Sequence, residues 1–362
     1  MKFIPQIKNL TPYVAGTPIE VVAKEYGLEA VVKLASNESP LPPFPEVLEV
    51  ITDKFESLNR YPDAEARELR AVLAKRYAVE PDNIILGNGS CELLIWLSLI
   101  LLEPGTEAVF SDPTFLVYEE VTLARGATPV KVPLKDFAND LDALAAPVTE
   151  STRVVFLTNP HNPTGTYLPA AEIAAFANSL PEDCALVLDE AYNEYVEEGD
   201  SQGGLDLFRT NPNVIVTRTF SKIYGLCGLR VGYGLCSPEV KTAIDKVRQP
   251  FNINTLAQAA ALKALSLEER LDERRELNRD GRSQLYDGLD RLGIGYVRTQ
   301  SNFMLVEIGQ LGMPAVDVPE ELLRRGVIVR SGAALGIPGY IRVSVGAPKE
   351  NELLLEKLAE LK

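Results

Sequence analysis

The stretch Val154-Val155-Phe156-Leu157-Thr158-Asn159-Pro160-His161-Asn162-Pro163-Thr164-Gly165 decides the architecture. A short apolar run closed by a turn cluster reads as a buried strand of a parallel sheet. Two further runs repeat the pattern. Ala185-Leu186-Val187-Leu188 leads into Asp189-Glu190-Ala191-Tyr192, and Val214-Ile215-Val216 leads into Arg218-Thr219-Phe220-Ser221-Lys222, with Arg230 close behind. Ligands of such sheets sit beyond the carboxyl ends of the strands. The three clusters therefore converge on one crevice and bring to it a lysine, a carboxylate, a phenol, an amide, a hydroxyl and an arginine.

Outward from this centre, helix and strand patterns alternate from Glu46 to about Pro250. Helices are predicted at Ala64–Tyr77, Glu92–Leu102, Thr114–Arg125 and Ala170–Asn178, and strands at Asn83–Leu86, Ala108–Ser111 and Pro129–Val132. Such alternation implies a largely parallel sheet covered on both faces. Residues 1 to about 35 read as an arm with a short helix, and Pro40, Pro42, Pro43 and Pro45 mark an irregular loop. After Pro250 the texture shifts to helices at Leu256–Leu265 and Leu267–Leu292, strands at Asn302–Ile308, Val327–Arg330 and Ile341–Val345, and a closing helix at Glu350–Leu361. The predicted organisation is an arm over 1–35, a large unit over 36–250 and a smaller α+β unit over 251–362.

At 362 residues the chain exceeds one ordinary domain. Its net charge of −15 and scattered basic residues argue against a nucleic-acid surface. The amino terminus lacks the apolar core of a signal peptide. The longest apolar stretch, Leu93 to Leu102, is too short for a bilayer. Cys91, Cys184, Cys227 and Cys236 show no paired spacing and His161 is the only histidine, which argues against a zinc site or a histidine triad. Unpatterned cysteines fit a reducing, cytoplasmic setting. No metal and no membrane partner is expected.

Lys222 directly follows a buried strand, near Arg218 and Arg230; neighbouring cations and partial desolvation favour the uncharged amine that a nucleophilic lysine needs. Asp189 either caps the following segment or pairs with a ring nitrogen. Tyr192 and Asn162 could reach a phenolic oxygen. Gly87-Asn88-Gly89-Ser90-Cys91 forms a strand-to-helix turn whose N–H groups suit a phosphate, with Ser221 and Arg230 adding a hydroxyl and a charged fork. Phe115 is either core or a ring stacked on a cofactor. Arg330 and Arg342, on predicted strands of the smaller unit, are either surface charges or clamps for an anionic substrate group. Together the set suits pyridoxal 5'-phosphate, which needs a covalent lysine, an acid at its ring nitrogen and a phosphate cup. The glycines at 225, 228, 232 and 234 make a poor dinucleotide frame.

The chain resembles the fold-type I pyridoxal-phosphate aminotransferases, and among them most resembles the histidinol-phosphate aminotransferases. The likeness runs nearly full length, through Asn9–Tyr13, Leu34–Glu38, Arg60–Asp63, Gly87–Ser90, Asn159–Gly165, Asp189–Tyr192, Arg218–Lys222, Gly228–Tyr233, Ser301–Phe303 and Ile341–Val343. It implies an α/β fold with a mostly parallel seven-stranded sheet and a smaller α+β unit. It implies Lys222 as the catalytic lysine, Asp189 at the ring nitrogen, Tyr192 and Asn162 at the phenolic oxygen and Phe115 stacked. Ser90, Cys91, Ser221 and Arg230 would hold the phosphate, with Tyr61 supplied by the other subunit of a homodimer. Tyr13, Asn37, Arg330 and Arg342 would meet the substrate. The implied reaction moves the amino group of L-histidinol phosphate to 2-oxoglutarate in histidine biosynthesis. An aromatic amino-acid aminotransferase is the alternative, with a threonine-phosphate decarboxylase or a non-catalytic regulator further off. Many relatives carry Asp where Cys91 stands, and Leu41–Pro45 replaces the usual loop near the substrate.

Overall fold

Runs of β-branched and apolar residues that lack polar alternation can only be satisfied between two covering layers. That is where they lie. The computed structural model describes residues 1–12, 16–197 and 203–362. In chain order its strands are β1 (Val32–Lys33), β2 (Ile84–Gly87), β3 (Glu107–Asp112), β4 (Thr128–Pro133), β5 (Thr152–Thr158), β6 (Ala185–Asp189), β7 (Val214–Thr219), β8 (Gly232–Leu235), β9 (Phe303–Glu307), β10 (Val327–Ile328), β11 (Arg330–Ser331) and β12 (Tyr340–Ser344).

Seven strands form one sheet in the order β2-β8-β7-β6-β5-β3-β4. Pairing is parallel from β7 to β4, while β8 runs antiparallel to both β7 and β2. Since β8 is reversed between two neighbours, β2 points the same way as β7. The carboxyl ends of β2, β5, β6 and β7 therefore share one edge of the sheet.

Val154, Val155, Val187, Val214 and Val216 are fully buried. Each such side chain contributes roughly 1.5–3 kcal/mol of transfer free energy. The two sheet faces build separate apolar clusters, one around Leu188, Val216 and Phe220, the other around Phe110, Tyr118 and Phe156. The helix Ser90–Leu101 sits in the second cluster through Leu93, Leu94, Trp96 and Leu97, as its near-continuous apolar character requires. No helix among the described residues is long and apolar enough to cross a membrane.

A third cluster joins Leu34 to Leu285, Leu289, Met304, Val343 and Leu358. It packs the helices Leu271–Leu292 and Pro348–Glu360 on the sheet β11-β12-β9. The helix Thr255–Leu265 packs instead against Pro45–Asp53, in the large core. Three further details depart from the sequence reading. The predicted strand Val327–Arg330 is two strands: β10 pairs in parallel with β1, and β11 pairs with β12 so that Arg330 faces Arg342 in register. The proline-rich loop gives way at Pro45 to a helix, where proline's missing N–H costs nothing at a first turn. The glycine run contains β8, because a side chain at Gly232 would stand 2.7 Å from the Ser90 nitrogen.

Candidate active site

At the shared edge, Asn159 to Gly165 follows β5, Glu190 to Tyr192 follows β6 and Phe220 to Lys222 follows β7. Registers of Thr158 with Asp189 and of Asp189 with Thr217 set these ends side by side. Between them lies a cavity of about 410 Å³, lined among others by Ser90, Cys91, Phe115, Asn162, Asp189, Tyr192, Ser221, Lys222 and Arg230. All the cofactor residues predicted from the sequence are thus brought together except Tyr61.

Asp189 is 3% exposed, and burial pushes its carboxyl up to about 6. Its oxygens accept hydrogen bonds from the Tyr118 hydroxyl at 2.9 Å and the Ala191 N–H at 3.2 Å, both of which favour the ionised form. A buried carboxylate facing a cavity with neutral donors only is suited to receive a cation there. Tyr118 itself escaped the sequence reading. It lies one helical turn after Phe115, but nothing local in the sequence ties it to a carboxylate after β6.

The other end of the cavity suits an anion. Gly89 adopts φ +75°, and a Cβ there would meet Arg230 Nη2 at 2.7 Å, so this cradle exists only because the side chain is missing. Arg230, itself at φ 58°, donates to Cys227 O at 3.0 Å, Asn88 O at 3.3 Å and Ser221 Oγ at 3.4 Å. These acceptors are neutral, so they leave the guanidinium charge uncompensated. The N–H groups that open the helix Ser90–Leu101 add their partial positive charge. Asn88 is held by Glu92 and by the Asn252 carbonyl, which fixes the turn. A planar cation at one end and a phosphate at the other match the donor set of pyridoxal phosphate.

Lys222 Nζ donates to the carbonyls of Ser36 at 3.3 Å and Asn37 at 3.1 Å, and stands 5.4 Å from the Tyr192 ring centre. Its expected cationic neighbour Arg218 is elsewhere. That guanidinium is 3% exposed and pairs with Glu190 at 2.7 Å. Asn37, in the left-handed region at φ 54°, donates from Nδ2 to the Tyr192 hydroxyl at 3.0 Å. The phenolic proton of Tyr192 is thereby left to donate into the cavity.

A second cavity of about 350 Å³ shares Ser36, Phe115, Asn162, Tyr192 and Lys222 with the first. Its further lining includes Asn37, Glu120, Arg330 and Arg342. Arg342 donates to Asn162 Oδ1 at 2.7 Å and to Ala35 O at 3.1 Å, which leaves the Asn162 amide nitrogen as the group that residue can offer. His161 is buried, contacts Thr164 Oγ1 at 2.8 Å, and is pushed down to about 3 by burial, so it stays neutral. Tyr61 lies outside both cavities; it is 82% exposed and stacks on Phe251 at 4.6 Å. Tyr13 lies outside the described residues.

The family model for aminotransferases of class I and II matches residues 29–358. A protein named histidinol-phosphate aminotransferase 2 from Pseudomonas fluorescens is 45% identical over 359 residues, covering 99% of this chain and 96% of that protein. A histidinol-phosphate aminotransferase of Moorella thermoacetica is 42% identical, covering 98% of this chain and 92% of that protein. Among solved structures, the histidinol-phosphate aminotransferase of Sinorhizobium meliloti in complex with pyridoxal-5'-phosphate superposes with a TM-score of 0.91. It is 32% identical and covers 99% of this chain and 97% of that one.

Proposed function

The chain belongs to the class I and II aminotransferases, and on that premise we propose that it transfers the amino group of L-histidinol phosphate to 2-oxoglutarate, giving imidazole acetol phosphate and L-glutamate in histidine biosynthesis. The observation that carries the reading is the position of Lys222. It stands on the wall common to the cofactor-shaped cavity and to a second cavity lined by Arg330 and Arg342.

Pyridoxal phosphate, when bound, supplies an electron sink for the charge that develops at the donor's α-carbon. The chain's own residues do the rest. Arg230, the Ser221 hydroxyl, Ser90, Cys91 and the N–H groups of their helix start would hold the phosphate. Asp189, kept ionised by Tyr118 and the Ala191 N–H, would hold the proton on the ring nitrogen. Tyr192 and Asn162 would donate to the phenolic oxygen, and Phe115 would cover the ring. Lys222 would anchor the cofactor and, once displaced by the donor, remove and return the α-proton as a general base and acid. Arg330 and Arg342 would receive the donor's phosphate or the acceptor's carboxylate, with Asn37 on the same cavity wall. Tyr61, exposed on this chain, would complete the phosphate cup of a second copy in a homodimer working in the cytoplasm.

A donor panel tests the assignment. Rapid mixing of the holoenzyme with L-histidinol phosphate, phenylalanine or threonine phosphate should bleach the cofactor's visible band fastest with the first, with 2-oxoglutarate restoring it. Faster bleaching by phenylalanine would transfer the assignment to aromatic amino acids, and release of carbon dioxide from threonine phosphate would make the protein a decarboxylase.

A further inference from the structure

The second cavity carries both signs of charge. Arg330 and Arg342 line it, and so do Glu120 and Glu320. Carboxylates are ill suited to a pocket that must accept a phosphate or a dicarboxylate, unless one of them reads another part of the ligand. Three acidic groups in this neighbourhood differ in commitment. Glu119 is paired with Lys131 at 2.7 Å. Glu320 accepts from the Tyr26 hydroxyl at 3.0 Å and lies 3.4 Å from Arg324 Nε. Glu120 makes no side-chain hydrogen bond or ion pair among the described residues. It is half-buried, and burial, followed by the nearby Glu119 charge, pushes its carboxyl above the ordinary value. A partly desolvated carboxylate of this kind is stabilised by any donor that enters the cavity.

The local fold also gives Glu120 a fixed place. It belongs to the helix Val117–Ala124, which carries Tyr118, the partner of Asp189, and follows Phe115 on the wall common to both cavities. A group on this helix is therefore held in register with the cofactor cavity. Lys222 and Arg342 are already engaged by Asn37 and Asn162.

We propose that Glu120 is the specificity residue for the donor's ring: its carboxylate accepts an N–H of the imidazole. This rests on the donor reading given above. The arginines then take the anionic group of the same ligand, and the cavity is complementary to a molecule that carries an anion and an N–H heterocycle together. A phenyl ring in that position would bury the carboxylate without a partner. Sites built around a hydrogen bond discriminate strongly against analogues that lack it. The acceptor 2-oxoglutarate offers Glu120 nothing, so its half-reaction should be indifferent to this residue or slightly hindered by it.

The test uses two ligands matched in everything but the ring, L-histidinol phosphate and L-phenylalaninol phosphate. Calorimetric titration of the Lys222→Ala protein reconstituted with pyridoxal phosphate measures binding without turnover. The imidazole ligand is expected to bind at least about tenfold more tightly. Adding Glu120→Gln should weaken it about five- to tenfold and leave the phenyl ligand within about twofold, since a neutral amide oxygen replaces a charged acceptor. Proton NMR of the bound imidazole supplies a readout that general destabilisation would not move: its titration should shift to lower pH on Glu120→Gln and stay in place on Glu119→Gln. Equal losses for both ligands, or an unchanged imidazole affinity, overturn the assignment of Glu120. Failure of the Lys222→Ala protein to bind either phosphate, while phenylalanine binds, overturns the donor reading and the inference with it.

Discussion

Replacing Tyr118 by Phe removes one oxygen from a fully buried ring and leaves its packing against Phe156 intact. That oxygen donates to Asp189 at 2.9 Å, while the Ala191 N–H remains at 3.2 Å. Hydrogen bonds to the ionised form favour it, so losing one must raise a carboxyl that burial already holds at about 6. A bond to a charged group is worth about 1.5–3 kcal/mol. At about 1.4 kcal/mol per pH unit this moves Asp189 up by about one to two units. Only the ionised carboxylate can pair with a protonated ring nitrogen. At pH 7, between about half and nine-tenths of cofactor-free Tyr118→Phe molecules would first have to lose a proton, and pyridoxal phosphate should bind about two- to tenfold more weakly than to the wild type. Above about pH 9 the difference should vanish. Equilibrium dialysis of both proteins between pH 5.5 and 9 measures this, and the ratio of the two constants cancels the cofactor's own titrations. A ratio that stays flat with pH would refute the claim that Tyr118 acts through the charge of Asp189.

Gly89→Ala places a methyl 2.7 Å from Arg230 Nη2 in a backbone region hostile to side chains, so stability should fall by about 1–2 kcal/mol and cofactor affinity by at least about tenfold; wild-type cofactor retention would exclude the cradle. Asp189 titrates higher when folded than the ordinary 3.8, so the cofactor-free protein binds its proton more readily than the unfolded chain does. The stability of that protein should therefore decline as pH rises from about 4 to about 6, by roughly 3 kcal/mol from this residue. Asp189→Asn should escape that decline, being inactive yet more stable than wild type at pH 7 in urea titrations; equal stability would contradict the burial argument. Arg218→Met strands Glu190, 4% exposed, beside Glu194, whose carboxylate oxygens have no hydrogen-bond partner among the described residues, and should cost about 3–5 kcal/mol. Adding Glu190→Gln should recover part of the loss by the same measurement, and no recovery would mean that the pair is not the cause.

The strands that build the site were legible because their signal is local. Val154–Leu157, Ala185–Leu188 and Val214–Val216 fall inside β5, β6 and β7. Each polar cluster follows its strand by the shortest possible path, so Asn162, Asp189 and Lys222 could be placed on one edge from the sequence. β8 was hidden, since its glycines meet a need for close backbone approach that only the assembled sheet creates. The partner of Arg218 was equally hidden, because Glu190 lies on another strand's extension. Tyr118 and Asn37 are bound to the site by contacts of 71 and 155 residues' separation, which no window of sequence contains. What local periodicity cannot carry is the pairing of side chains from distant segments.

Asn37 ties four distant positions of the chain to one residue. Its N–H donates to Ser344 Oγ at 2.8 Å, its side-chain amide to Tyr192, and its carbonyl accepts from Lys222 and from Asn302 at 3.2 Å. The segment around Asn37 and the reactive amine are therefore thermodynamically coupled. Whatever draws the amine away from that carbonyl weakens the segment's hold, and by reciprocity whatever lifts the segment changes the amine's readiness to react. Admission of a substrate and arming of the nucleophile become two readings of a single displacement.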